Sequence, residues 1–528
     1  MALLRSITTV GGYTMISRLL GFVRDVLLAA ILGAGPVADA FFVAFKLPNF
    51  FRRLFAEGAF NAAFVPLFSG LLASGGRAAA KAFTEQALVV LLLALLVLVA
   101  AFEAGMPWAM YAFAPGFAAD PGKFALAVEL TRITFPYLLF ISLVSLMGGA
   151  LNALGRFAAP AASPILLNVL LIAALIGLAR FTETPAHALA WAMAAAGLAQ
   201  CLWIALVLHN AGMGLKLRRP RLTPKVRRLL RLMIPGAIGA GVMQINLLID
   251  VVIASLLPSG SISYLYYADR INQLPVGVVG VAVGTALLPL LSRQVKSGEA
   301  EAALDGQNRA LEFALLLTIP AALALIVIAA PVISVLFGRG AFGAAEVEAT
   351  RLALVAYATG LPAYVLVKVL TPGYFAREDM ATPVKIASLC VVVNLVLNLA
   401  VIALALTLMI PFAHVGIALA TAIAAWLNAA LLARGLRRRG FLVLDRRLKR
   451  RLPRVVIASI LMAAGLLAGT LALAGPLAGD EAARIGTLVV LIAGGLVLFV
   501  LLAQFTGAVD LRELKGMMGR SAGFNGRA

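Results

Sequence analysis

Two stretches, SRLLGFVRDVLLAAILGAG (17–35) and ADAFFVAFKLPNFFRRLFAEGAFNAAFVPLFSG (38–70), carry charge inside otherwise oily sequence. They hold Arg18, Arg24, Lys46, Arg52 and Arg53 against Asp25, Asp39 and Glu57, a cationic surplus. A guanidinium is a planar fork that pairs bidentately with phosphate, so arginines held out of bulk water suit the binding of an anion. Arg18 and Asp25 are seven residues apart and share a helix face, as do Lys46 and Arg53, while Arg53 and Glu57 stand at the i,i+4 spacing of a helical ion pair. A weaker second group follows: Asp250, then Asp269 and Arg270 in YYADRINQLP (266–275), then Lys368 in VLVKVLTPG (365–373). Bland readings stand beside the chemical one. Arg52, Arg53 and Glu57 could form an interfacial salt-bridge cluster, and Arg18 could snorkel to a headgroup layer.

The elements that must position these residues are membrane helices. The chain has 528 residues, 62% hydrophobic and only 13% charged, with a mean hydropathy of +1.02. Runs such as ALVVLLLALLVLVAAF (87–102) and KIASLCVVVNLVLNLAVIALALTLMI (385–410) approach or exceed the roughly 20 apolar residues that span a hydrocarbon core. Barrel strands would instead alternate over about ten residues. Apolar windows broken by Gly, Pro and charge predict an all-α polytopic protein of about 14 transmembrane helices, centred near residues 22, 55, 98, 140, 170, 198, 244, 281, 323, 360, 397, 422, 465 and 494. An Arg at the centre of such a helix costs about 2.5–3.5 kcal/mol even on insertion-based scales, so charges there should face protein or a wet cavity.

The net charge of +21 comes from 44 basic and 23 acidic residues. Its densest clusters, KLRRPRLTPKVRRLLR (216–231) and RGLRRRGFLVLDRRLKRRLPR (434–454), lie between apolar spans. That is the positive-inside signature, which puts both termini in the cytoplasm and argues against nucleic acid as a partner. The loops 33–38, 116–127, 256–262 and 411–414, expected on the opposite side, contain one lysine between them, Lys123. Arg18 and Arg24 interrupt what would be the apolar region of a signal peptide, so the N-terminal segment reads as part of the mature protein. Cys201 and Cys390 are far apart and read as buried apolar side chains; His187, His209 and His414 form no ligand motif. Walker-type phosphate loops and hydrolytic triads are absent from the sequence, so covalent chemistry is not expected.

The chain also repeats. DVLLAAILGAG (25–35) resembles DVVIASLLPSG (250–260), and AFVPLFSGLLASG (63–75) resembles ALLPLLSRQVKSG (286–298). Six spans separate the copies, an even number, so the repeats run in the same sense. The expected organisation is two pseudo-symmetric six-helix lobes, 1–225 and 226–450, followed by a helix pair and cytoplasmic tail, 451–528. Prolines in or beside the spans and glycines around 236–241 permit the bending that an alternating-access transporter requires.

The motifs SRLLGFVRD, ADAFFVAFKLPNFFRRLFAEGAFNAAFVP and YYADRINQLPVGVVGVAVGTALLP closely resemble those of the MurJ (MviN) family, and the likeness extends along the whole chain. That family belongs to the multidrug/oligosaccharidyl-lipid/polysaccharide exporter superfamily. The resemblance implies a non-enzymatic flippase that carries lipid II, undecaprenyl-pyrophosphoryl-MurNAc-pentapeptide-GlcNAc, across the bacterial cytoplasmic membrane for peptidoglycan synthesis. It implies a central cationic cavity that binds the pyrophosphate, with Arg18, Arg24, Arg52 and Arg270 as functional arginines and Asp39 and Glu57 as associated acids. Asp25, Lys46, Arg53, Asp269 and Lys368 complete the candidate set. The final helix pair would form a groove for the lipid tail. Asp250, Asn394 and Asn398 match part of a sodium site found in some relatives, so sodium or the membrane potential could drive transport. Gln273 stands where relatives can carry glutamate. Membrane lipids and cell-wall synthesis proteins are the further partners this implies. A flippase for another polyprenyl-linked saccharide and a cation-coupled drug exporter are the alternatives; the arginine surplus disfavours the latter, whose ligands are typically lipophilic cations.

Overall fold

The computed structural model describes residues 2–54, 60–408 and 412–509. Among the described residues every regular element is helical: α1 (Ala2–Leu32), α2 (Pro36–Phe51), α3 (Asn61–Phe113), α4 (Pro121–Thr134), α5 (Tyr137–Ala153), α6 (Ala158–Gly177), α7 (Pro185–Leu208), α8 (Pro224–Ser255), α9 (Ser261–Lys296), α10 (Ala300–Val327), α11 (Ala329–Phe337), α12 (Ala344–Thr359), α13 (Leu361–Phe375), α14 (Ala381–Leu408), α15 (His414–Arg438), α16 (Arg446–Ala472), α17 (Ala474–Leu477) and α18 (Glu481–Phe505). Of the fourteen expected span centres, twelve fall on these helices; the centre near residue 360 falls on the Gly360 break between α12 and α13, and the centre near residue 55 lies outside the described residues.

Ten helical segments among the described residues are long and apolar enough to cross a membrane. Two of them, Pro121–Ala153 and Ala344–Phe375, each combine two helices. The first is broken beside Pro136, the second at Gly360. The helix α1 is missing from the ten although it is 31 residues long, because Arg18, Arg24 and Asp25 dilute its apolar run. The bilayer-facing surface is visible in side-chain exposure. Leu389, Val392, Val396 and Leu399 recur every three or four residues along α14 and are 51%, 56%, 59% and 52% exposed. Such a stripe is unfavourable in water and is satisfied by lipid.

Helix starts follow the local chemistry of their first residues. Asp120 accepts from the backbone N–H groups of Gly122 and Lys123 and Pro121 opens α4; Thr223 accepts from Val226 N and Pro224 opens α8. Asp445 and Asp480 cap α16 and α18 in the same way. Each cap satisfies an otherwise orphaned donor and contributes about 1 kcal/mol. Gly33 ends α1 in the left-handed region (φ 66°), where a Cβ would also collide with the backbone carbonyl of Ala341. Left-handed glycines also mark Gly76 inside α3 (φ 67°) and Gly298 after α9 (φ 75°).

The chain divides into two compact units, Met1–Ser263 with Arg339–Glu346, and Tyr264–Gly338 with Val347–Ala528. In unit 1, α1 packs on α6, α6 on α7, α2 on α4, α5 on α3 and α7, and α8 on α3. An aromatic cluster seals part of it: Phe102 stacks on Phe135 at 4.7 Å, and Phe51 meets both edge-on. Sequence repeat pairs α8 with α1 as the opening helix of a half, whereas in packing α8 is a member of unit 1. In unit 2, α10 packs on α13 and α16, α15 on α13 and α14, and α18 on α16. Its core includes Leu291, Leu311, Val365 and Leu436 around Tyr374, whose hydroxyl donates to Leu432 O at 2.8 Å.

Candidate functional site

Unit 1 turns the opening motifs into two buried polar clusters. In the first, Arg24 is 5% exposed and Asp25 fully buried. Arg24 donates from Nε and Nη2 to Asp25 Oδ1 (3.0 and 2.6 Å) and from Nη1 to Asn168 Oδ1 at 3.0 Å. Asn168 is oriented in turn by its own amide, which donates to Ser17 O at 3.0 Å. The guanidinium also lies 5.5 Å from the centre of the Phe45 ring. These contacts tie α1 to α6 and hold the fork in one orientation. A desolvated arginine keeps its charge, so the cluster sets a fixed guanidinium beside the neutralising carboxylate of Asp25.

The second cluster centres on Asp39, 1% exposed. Its carboxylate accepts from Lys123 Nζ at 2.8 Å, Gly260 N at 2.7 Å, and Ser263 N and Oγ at 3.0 and 2.7 Å. Lys123 also donates to Ser259 Oγ at 3.0 Å and lies 4.3 Å from the Phe117 ring centre. The backbone donors belong to the start of α9, so the anion sits where a helix N-terminus favours negative charge. The sequence pointed to Asp39 but not to its partner Lys123; the available signal was that Lys123 is the sole lysine in its set of loops. The capped start of α4 explains how it gets there, because Asp120 and Pro121 fix Lys123 on the first turn.

The remaining candidates are dispersed. Arg18 is exposed on α1, two turns before Asp25. Lys46 is half-buried; Arg52, also half-buried, donates from Nε to Asn49 Oδ1 at 3.1 Å, and Arg53 is exposed. Glu57, its expected i,i+4 partner, lies outside the described residues. In unit 2, Asp269 and Arg270 are half-buried on α9, and Gln273 donates its amide to Asp269 Oδ2 at 2.5 Å. A glutamate at 273 would set a second carboxylate against Asp269, so the amide removes a repulsion here. Lys368 is exposed on α13 with its stem across Gly280 of α9, where an added Cβ would stand 2.7 Å from Lys368 Cδ.

Of the residues matched to a sodium site, Asp250 is half-buried on α8 of unit 1. Asn394 and Asn398 are buried on α14 of unit 2, where Asn398 Nδ2 donates to Asn394 Oδ1 at 3.0 Å and Asn394 Nδ2 stands 3.5 Å from Thr421 Oγ1. These groups offer a hard cation neutral oxygens, one already engaged by an amide, and the carboxylate of the set lies on α8.

The fold defines the class. A solved structure titled as an inward-facing multidrug resistance MATE family transporter of the MOP superfamily aligns with a TM-score of 0.65 over 82% of this chain and 98% of its own, at 15% identity, a likeness of fold alone. With ten segments among the described residues long and apolar enough to cross a membrane, and charge buried on its first helices, the chain is a multi-pass membrane protein that shares this fold. The family is narrower. Residues 28–478 match the model of the family described as Lipid II flippase MurJ. The "Probable lipid II flippase MurJ" of Rhizobium meliloti (strain 1021) is 46% identical over 529 aligned residues, covering 99% of this chain and 97% of the relative. The structure titled "Lipid II flippase MurJ, inward closed conformation" aligns with a TM-score of 0.74 at 25% identity, over 94% of this chain and 98% of that one. The chain belongs to the MurJ family of lipid II flippases, multi-pass proteins of the bacterial inner membrane.

Proposed function

We propose that this protein moves lipid II from the cytoplasmic to the outer face of the inner membrane by alternating access, without making or breaking a covalent bond. The observation that carries this reading is the match to lipid II flippases along nearly the whole chain. The chemistry of the charged motifs supports it. The pyrophosphate is the substrate's dense anion, and Arg24 offers it a guanidinium already oriented by Asp25 and Asn168. Arg18, Arg52 and Arg270 are the further anion-binding groups, with Lys46, Arg53 and Lys368 as supporting cations. Asp25, Asp39, Glu57 and Asp269 orient or partly neutralise them. The sugars and peptide stay hydrated while the polyprenyl chain remains in lipid or along α16 and α18. Both termini face the cytoplasm, and cell-wall synthesis proteins supply and consume the substrate. Sodium at Asp250, Asn394 and Asn398, or the membrane potential at about 2.3 kcal/mol per charge per 100 mV, drives the cycle.

The test is headgroup translocation of lipid II in proteoliposomes, run beside another polyprenyl-pyrophosphate glycan, with and without imposed voltage and sodium. Lipid II is expected to be preferred. Arg24→Ala and Arg52→Ala should abolish its transfer while leaving membrane insertion intact; preference for the other glycan would reassign the substrate, and full transfer by both variants would remove the proposed arginine roles.

A further inference from the structure

A third cluster in unit 1 has no place in the reading above. Glu129 on α4, Glu183 in the turn before α7 and His187 on the first turn of α7 bring one donor atom each to within 4.8 Å of one another. His187 is 7% exposed, yet its Nε2 makes no hydrogen bond and lies 3.4 Å from Glu129 Oε1. The other ring nitrogen, Nδ1, is 2.9 Å from Thr184 Oγ1. When Nδ1–H donates to that hydroxyl, Nε2 keeps its lone pair available 3.4 Å from Glu129 Oε1. This is how metal-ligating histidines are usually held: a bond at one nitrogen fixes the tautomer and aims the other at the ion. Two carboxylates at such range repel each other, and an imidazolium would offset only one of them.

We propose that Glu129, Glu183 and His187 form a binding site for a divalent transition-metal ion, with Zn²⁺ as the fitting probe. One imidazole and two carboxylates make a three-ligand N/O set that leaves a coordination position for water. An imidazole ligand selects against Ca²⁺ and Mg²⁺, which take oxygen donors. The ion clamps α4 to the turn that launches α7, and thereby stiffens one end of unit 1.

The experiment uses the full-length protein, with any affinity tag removed and stripped by chelator, in detergent or nanodiscs. Zn²⁺ binding is followed by calorimetry, Co²⁺ by its d–d absorption, and thermal unfolding is recorded with and without Zn²⁺. One ion per chain is expected, with a rise in Tm on Zn²⁺ addition. His187→Gln should weaken binding by at least about tenfold and abolish the Zn²⁺-dependent rise, and Thr184→Val should weaken it within the roughly 10–100-fold range of outer-shell partners. Glu183→Gln changes an exposed turn residue, so its loss of binding can be read even if the buried histidine variant misfolds. Mg²⁺ at the same concentration should leave Tm unchanged. Absence of stoichiometric Zn²⁺ binding, or binding unchanged in Glu183→Gln and His187→Gln, overturns the site.

Discussion

Asp39 shows what a single side chain does when burial takes it out of water. Its carboxylate is held by an ammonium, a hydroxyl and two backbone N–H groups. Removing either partner of such a pair leaves the other charge desolvated, which costs more than the intact pair contributes. Asp39→Asn and Lys123→Met should each lower stability markedly. The double variant should lose less than the sum, with a coupling of about 0.5–3 kcal/mol, read from unfolding in detergent. Additive losses would show that the two residues act independently. Arg24 is different in kind, since its partner Asp25 is its chain neighbour while the bond to Asn168 crosses between helices. The charged residues themselves were plain in the sequence, because charge in an apolar run is conspicuous; their bonding was not. Arg18 and Asp25 share a helix face by spacing, yet Asp25 is buried against Arg24 while Arg18 is exposed.

Between elements, the short turns decide how consecutive helices meet. The turn from α13 to α14 is closed by Asp379, which accepts from Thr382 N at 2.9 Å and from Arg439 Nη1 at 2.5 Å. Hydrogen bonds from Thr382, and then the one from Arg439, hold the Asp379 carboxyl well below the usual carboxylate range. The native pKa is thus below the unfolded one of about 3.9, so the stabilisation is present in full above that value and is lost as pH falls through the native pKa. Asp379→Asn should therefore unfold at a lower temperature than the parent at neutral pH. The gap should persist to about pH 4, the unfolded-state value, and narrow below it. A gap that closes above that range would contradict the assignment. The two helix pairs read as single spans near residues 140 and 360 show a limit of hydropathy: a proline or glycine break between two apolar helices leaves the average unchanged.

For the whole molecule, side preference follows from where the basic residues fall. If the loops at 216–231 and 434–454 face the cytoplasm, then after replacing Cys201 and Cys390, Ala478→Cys should react with a membrane-impermeant maleimide in intact spheroplasts. Ala300→Cys should react only after permeabilisation; both positions are exposed. The reverse pattern would invert the topology. By itself the sequence determined an all-helical membrane protein, the family and the identity of the charged residues, because hydropathy, motif and loop charge are properties of contiguous residues. Only the tertiary structure decided the partners. Asn168 reaches Arg24 across 144 positions, Lys123 reaches Asp39 across 84, and Glu129 and Glu183 join a histidine that formed no sequence motif. Within a helix only residues three or four apart are neighbours, so contacts between helices depend on which helices pack together, and that is settled by the bilayer and the close fit of their apolar faces.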